Sequence, residues 1–335
     1  MFMKYNIKKI ALVRLSALGD IVHSAIVLQF IKQHYPDAQV EWITEKVFAP
    51  ILEDAYDLDV IHTVDIKQIK KTKNFSLLRD TIAHLQNLGE FDLIIDMQGL
   101  IKSAIVARLV GKNTHGFDAD STRESLASFF YKTTSTISYE TSVVKRNAFV
   151  VADPLGFEIS DAMILDKKPL FQVRHKFELS KGKNVACVIG ASWKSKIYPV
   201  EHVICVCASL DATCHIIWGN DEEFIMAQEI VAKTTNTQLA PKMSLSELVS
   251  FITQCDLVIG NDTGPTHIAW AQNVPSIVLF GPTNERMIFQ TPYTKALHSP
   301  SHVDILSINK EDYSLEELPP QTVIQHAKEL LDYGI

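Results

Sequence analysis

Two turns carry the residues of this chain that could do chemistry. At residues 256–267 a short apolar run, Leu-Val-Ile after Asp256, enters Gly-Asn-Asp-Thr-Gly and then Pro265, a residue suited to the first turn of a helix. A strand that feeds a helix this way aims free backbone N–H groups and the positive end of the helix dipole at one spot. That spot suits an anion such as a diphosphate. Asp262 and Thr263 suit the helix cap, Gly264 lets backbone approach a ligand closely, and His267 falls just inside the helix. Capping alone is the bland alternative. Near the N-terminus, Leu15-Ser-Ala-Leu-Gly-Asp-Ile-Val-His23 repeats the device and adds Asp20, expected to be unpaired. Asp20 reads either as a plain N-cap or as a carboxylate that takes a proton from an acceptor hydroxyl.

Other junctions offer cations. Gly190-Ala-Ser-Trp-Lys-Ser-Lys-Ile-Tyr-Pro199 follows a strand, with Ser192 as a donor in a small turn and Lys194 and Lys196 as compact charges for phosphate oxygens. Glu222 and Met243 lie at two further junctions and could meet a ribose and a base, although each is ordinary alone. Lys102 follows Asp96-Met-Gln-Gly, Arg123 opens a helical stretch, and Arg146 lies on another. None of the three has an evident helical partner, so each is either a structural salt bridge or a contact for an anionic substrate. The first turn has Ser16 and Leu18 where a dinucleotide fingerprint needs glycine, which disfavours a Rossmann oxidoreductase, and it lacks the Gly-Lys-Ser/Thr ending of a P-loop.

The elements that must position these residues alternate. Apolar runs at 10–14, 39–44, 60–64 and 93–96 are separated by amphipathic stretches such as 21–34 and 77–88, and helical stretches follow at 121–131 and 142–155. Alternation restarts with strands at 184–189, 214–218, 257–259 and 276–279 and helices between them, as expected for βαβ units and parallel sheets. The expected fold class is α/β of the two-domain kind: a Rossmann-like domain over 1–165, a polar linker over 166–183, a second Rossmann-like domain over 184–318 and a terminal helix over 319–335. The two domains are expected to face one another across a cleft, with ligands beyond the carboxyl ends of the strands.

Composition narrows the partners. With a net charge of −7, nucleic acid is not an expected partner. Residues 1–170 hold 20 Lys/Arg against 21 Asp/Glu, and the cluster Lys67, Lys70, Lys71, Lys73 reads as a solvated face or a contact for an anionic membrane. No apolar run approaches the ~20 residues of a membrane span. The five cysteines are odd in number, mostly sit in apolar runs and include no CxxC pair, so they read as reduced, buried and cytoplasmic. Asp-x-Asp occurs only at Asp57–Asp59 and Asp118–Asp120, in the half without the anion cradle, so no metal is expected.

Taken together, Ser-Ala-Leu-Gly-Asp, Trp-Ile-Thr-Glu-Lys-Val-Phe-Ala, Asp-Met-Gln-Gly-Leu-Ile-Lys-Ser-Ala, Arg-Glu-Ser-Leu-Ala-Ser-Phe-Phe-Tyr, Pro-Lys-Met-Ser-Leu and Asp-Thr-Gly-Pro-Thr-His with Phe-Gly-Pro-Thr resemble glycosyltransferase family 9, the bacterial lipopolysaccharide heptosyltransferases. The second to fourth look more like the family's type I than its type II branch. The resemblance implies a GT-B fold, an inverting reaction, ADP-L-glycero-β-D-manno-heptose as donor and the Kdo of Kdo-lipid A as acceptor, in inner-core biosynthesis at the cytoplasmic face of the inner membrane. It implies no cofactor and no protein partner. By matching position, Asp20 would be the general base. Ser192, Lys196, Asp262, Thr263, Gly264 and His267 would hold the donor phosphates and Glu222 and Met243 the adenosine, while Lys102, Arg123 and Arg146 would meet the acceptor. Two departures bear on this: the Trp193–Tyr198 loop is unusual, and the stretch after Trp218 is one residue shorter than usual. An epimerase on the same fold and a non-catalytic nucleotide-sugar binding protein are the rival readings.

Overall fold

Ile10-Ala-Leu-Val13 is fully buried because it forms the centre of a parallel sheet with helices on both faces, where a continuous apolar run replaces alternation. The structure, a computed structural model, describes residues 7–332. The chain divides into two compact units between Leu170 and Phe171.

The first unit runs β1 (Lys9–Val13), α1 (Leu18–Ser24), α2 (Ile26–His34), β2 (Gln39–Glu45), α3 (Ala49–Leu52), β3 (Val60–Val64), α4 (Ile66–Thr72), α5 (Phe75–Gln86), β4 (Leu93–Asp96), α6 (Ile101–Val110), β5 (Thr114–Phe117), β6 (Thr133–Ser135), α7 (Val143–Leu155) and α8 (Asp161–Leu165). Its six parallel strands lie in the order β3-β2-β1-β4-β5-β6. Val13 pairs with Ile43 on one side and Asp96 on the other, so the turns after β1 and β4 leave the same edge side by side.

The second unit runs β7 (Asn184–Val188), α9 (Val200–Ala208), β8 (Thr213–Ile217), α10 (Asp221–Lys233), β9 (Thr237–Leu239), α11 (Leu245–Thr253), β10 (Leu257–Asn261), α12 (Gly264–Ala271), β11 (Ser276–Phe280), β12 (Thr294–His298) and α13 (Pro320–Asp332). Its order is β12-β11-β10-β7-β8-β9, and Val188 pairs with Gly260. Val323, Ala327, Leu330 and Leu331 of α13 join the core of this unit. The expected terminal helix ran over 319–335, of which residues 333–335 lie outside the described residues.

Several expectations change. The helix expected over 21–34 begins at Leu18 and is divided at Ala25, and the stretch 121–131 holds a 3-10 helix, Ser125–Phe130, rather than an α-helix. Strands β5, β6, β9 and β12 were not expected. Each is three to five residues long, and segments such as Thr-Thr-Ser and Thr-Gln-Leu carry no apolar run. The polar stretch from Phe171 onward is strapped down: Phe171 exchanges hydrogen bonds with the Gln272 side chain at 3.0 Å, and the Arg174 N–H donates to Ser250 Oγ at 3.0 Å. The cysteines are free, and three of them converge: the sulfurs of Cys187, Cys207 and Cys214 lie within 4.8 Å of one another inside the second core. Sequence spacing does not show this, because β7, α9 and β8 each supply one. No helix among the described residues is long and apolar enough to cross a membrane.

Candidate functional site

In the second unit the turn after β10 leads into α12, whose N-cap is Thr263 with Pro265 just inside. Gly260 is needed at the end of β10, since a Cβ there would lie 2.6 Å from both Thr266 Oγ1 and Val188 Cβ. Asp262 is buried and serves as a hub. Its Oδ2 accepts from Lys196 Nζ at 2.6 Å and from Thr283 Oγ1 at 2.7 Å, and its Oδ1 accepts from His267 Nε2 at 2.9 Å. Desolvation pushes its carboxyl up, but the Lys196 charge and the His267 hydrogen bond outweigh that and hold it well below the usual carboxylate range. Asn261 ties the neighbouring loop to this turn, donating to Ile189 O at 2.9 Å and accepting the Tyr198 N–H at 3.1 Å. The structure therefore brings Lys196, Asp262, Thr263, Gly264 and His267 together around the start of α12. Amide hydrogens and a lysine gathered in this way suit an anion.

Ser192, on the same loop, is exposed and makes no side-chain hydrogen bond among the described residues. Met243 is half-buried just before α11, next to Lys242, whose ammonium lies 5.8 Å from the Trp218 ring. Glu222 and Glu223 differ in where they lie. It is exposed on the first turn of α10, whereas Glu223 folds back over the strand ends. Glu223 accepts the Gly219 N–H at 2.7 Å and a hydrogen bond from Asn220 Nδ2 at 2.8 Å. Its carboxylate also occupies the space over Gly190, where a Cβ would lie 2.2 Å from Oε1.

In the first unit Asp20 is the third residue of α1, and the N-cap is Ala17. The expectation of an unpaired acid is corrected: Asp20 Oδ1 lies 2.8 Å from Arg14 Nη2, and Oδ2 accepts the Ala17 N–H at 3.1 Å. Its side chain keeps 23% exposure, so one face of the carboxylate stays open. Arg14, at the end of β1, is buried and also donates to Met97 O, which fixes the direction of the pair. Ser16 Oγ accepts from Lys102 Nζ at 3.0 Å and from Gln98 Nε2 at 3.3 Å, while Gln98 Oε1 accepts the Leu15 N–H at 2.9 Å. Lys102 thus reaches the Asp20 loop. Burial lowers its pKa, with the nearby Glu45 charge opposing that shift.

Asp96 is fully buried, and burial raises its pKa despite hydrogen bonds from Tyr131 Oη at 2.7 Å and the Gln98 N–H at 2.8 Å. Through these bonds it shapes the turn after β4. Arg123 is exposed and forms no ion pair or hydrogen bond among the described residues. Arg146 is corrected in the opposite sense. It is buried, donates to the carbonyls of Ile137 at 3.1 Å, Ser138 at 2.9 Å and Ser121, and stacks 4.5 Å from the Phe117 ring. Its guanidinium is spent on holding the 121–138 segment. The acidic pairs are also occupied, Asp59 by Lys32 at 2.7 Å and Asp118 by Thr136 Oγ1 and the Ser121 N–H.

Sequence reasoning missed Arg14, Gln98, Asn261, Thr283 and Glu223. The Phe-Gly-Pro-Thr motif contained Thr283, but nothing local marks Arg14, an arginine that simply closes an apolar strand.

The family model of glycosyltransferase family 9 (heptosyltransferase) matches residues 81–309. The chain is 33% identical to lipopolysaccharide heptosyltransferase 1 of Campylobacter coli, over 96% of this chain and 98% of that protein. Its fold is similar to E. coli heptosyltransferase WaaC with ADP, at TM-score 0.80 and 24% identity, covering 96% of this chain and 99% of that one. The same enzyme with ADP-2-deoxy-2-fluoro heptose gives TM-score 0.78 at 24% identity and the same coverage. Two six-stranded parallel sheets in GT-B form and a profile match over more than half of the chain lead to one conclusion: the protein is a glycosyltransferase and belongs to glycosyltransferase family 9, the heptosyltransferases.

Proposed function

We propose that the protein transfers L-glycero-D-manno-heptose from ADP-heptose to the Kdo of Kdo-lipid A, with inversion, in lipopolysaccharide inner-core biosynthesis. The observation that carries this reading is the Lys196–Asp262–His267 hub at the turn that opens α12, a candidate anion cradle in the second unit. The WaaC structures were solved with ADP and with ADP-2-deoxy-2-fluoro heptose, which supports the choice of nucleotide and sugar. The first unit supplies a carboxylate, Asp20, with a free face and a fixed orientation.

In the proposed reaction the acceptor hydroxyl oxygen attacks the anomeric carbon from the face opposite the diphosphate. The new C–O bond forms as the bond to the diphosphate oxygen breaks, and the hydroxyl proton passes to Asp20. ADP leaves carrying the electron pair. Lys196 and the N–H groups of Thr263 and Gly264 stabilise the charge that grows on it, an effect worth about 2.7–4 kcal/mol per donor in other enzymes. Ser192 lies on the same loop, Glu223 replaces Glu222 on the adenosine side with Met243, and Lys102 and Arg123 meet the anionic acceptor. Lysine and helix dipole take the place of a cation, so activity should survive strong chelation.

A lipid-anchored acceptor requires peripheral contact with the inner membrane from the cytoplasmic side. Lys67, Lys70 and Lys71 on α4, together with Lys73, lead directly into Phe75, which is 82% exposed, and anionic surfaces attract such charges by about 1 kcal/mol each. Incubating the purified protein with ADP-heptose and Kdo-lipid A and weighing the product tests the assignment. One added heptose supports it, whereas conversion of donor without acceptor points to an epimerase.

A further inference from the structure

We propose that Lys310 is a second phosphate-binding cation of the donor site, supplied by the irregular segment that follows β12. The inference rests on the donor reading of the second unit and extends it to a residue outside the motifs above.

The starting point is charge. Lys196 is held 2.6 Å from Asp262, and both side chains are almost fully buried, so its positive charge is already answered by a carboxylate. A sugar-nucleotide diphosphate brings about two negative charges, and released ADP more, because a terminal phosphate has its second pKa near 6. The amides at the start of α12 offset part of that, roughly half an elementary charge. Asp262, in the turn just before α12, brings its own negative charge to the cradle, which is left with little net positive charge.

Lys310 supplies it. Its ammonium lies 4.8 Å from the centre of the Trp193 ring, and the Lys196 ammonium lies 5.4 Å from the same ring. Both fall within cation–π range, about 6 Å. Two ammonium groups gathered at one indole repel each other. Only Lys196 has a carboxylate; Lys310 is exposed and forms no ion pair among the described residues.

Its position is fixed by the backbone. Lys310 O accepts from Ser195 Oγ at 2.6 Å, and Ser195 is buried in the same 3-10 turn as Lys196. Beyond it, Asp312 accepts from Ser301 Oγ at 2.6 Å, and Leu315, fully buried, packs on Gly281 so closely that a Cβ there would lie 2.8 Å from it. A cation on an anchored segment can be placed beside the phosphates at little entropic cost.

The test titrates the full-length protein and Lys310→Met with ADP, AMP and adenosine by calorimetry at two salt concentrations. The expected result is about tenfold weaker ADP binding in the variant. AMP should lose less, adenosine nothing, and the variant's ADP affinity should depend less on salt, while Lys310→Arg restores ADP binding. Equal ADP affinity in wild type and Lys310→Met overturns the inference alone. Equal losses for ADP and adenosine also overturn it, because they mark general damage to the loop. A wild type that fails to bind ADP overturns the donor reading and this inference with it.

Discussion

The two units are the same topology used for two kinds of work. Counting strands from each unit's own start, both sheets read 3-2-1-4-5-6, and both place candidate site residues in the turns after the first and fourth strands. In each a cation meets a carboxylate at that position: Arg14 with Asp20 at 2.8 Å in the first unit, Lys196 with Asp262 at 2.6 Å in the second. The difference is burial. Asp262 is 3% exposed and has donors on both oxygens, so its function is to hold Lys196, Thr283 and His267 in place. Asp20 is 23% exposed, so part of its carboxylate stays open to the site. On the proposed reading, one fold yields an anion cradle or a base, according to how much water reaches the carboxylate.

Exchanging those roles by mutation is the most direct way to break the comparison. Asp20→Ala should lower kcat by about 10²–10⁴-fold, the usual contribution of a general base, and leave ADP affinity unchanged. A variant with a near-normal rate would remove Asp20 from the reaction. Asp262→Ala should act through structure: loss of one member of a buried pair costs about 3–5 kcal/mol, so thermal unfolding should fall and ADP binding should weaken with it. If Asp262→Ala stayed as stable as wild type and lost only turnover, the division of labour drawn here would be wrong.

Acid sharpens the contrast from another side. His115 on β5 is buried between Thr133 Oγ1 and Ser135 Oγ, each at 2.8 Å, and desolvation lowers its pKa to about 4 in spite of the Asp153 charge. The folded value lies below the unfolded one, near 6.5, so between these the unfolded chain binds more protons. Stability from this group is complete above pH ~6.5 and is lost as the pH falls toward 4, on the order of 3 kcal/mol in all. His115→Asn should flatten that part of the denaturant-midpoint profile. His215 on β8, also pushed down by burial, contributes with the same sign in the second unit. A profile for His115→Asn as steep as that of wild type would count against the assignment.

The smallest effects separate two arginines of the first unit. Arg146→Ala should cost roughly 1–3 kcal/mol of stability, because carbonyls of the 121–138 segment lose their donor, with little change in the acceptor KM. Arg123→Ala should leave stability unchanged and raise the acceptor KM several-fold. Parallel melts and acceptor titrations would show whether the two have been assigned correctly.

Much of the fold was legible in the sequence because central parallel strands are buried on both faces and read as apolar runs. Runs such as Ile10–Val13 and Leu257–Ile259 announced themselves, and the edge strands β6 and β9 did not. The site was legible where a turn between strand and helix combined glycine, acid and proline, as at 260–265. It was not legible where the partner lies far along the chain. Arg14 meets Met97 across a sheet, Asp262 meets Thr283 and Lys196, and Lys310 meets Trp193.

From the sequence alone came the α/β class, two units, the candidate anion-binding turn, Asp20 as a candidate base and Lys196 as a candidate phosphate ligand. These follow from local rules: hydrophobic period, capping chemistry and the conformational needs of glycine and proline act within a few residues. Only the tertiary structure decided that Asp20 is paired, that Arg146 is a structural strut, that Glu223 rather than Glu222 turns inward, and that Asp262 is buried beyond reach of solvent. Burial and ion pairing depend on groups brought together from distant positions in the chain, and the energy of a charge depends on that assembled surrounding rather than on its neighbours in sequence.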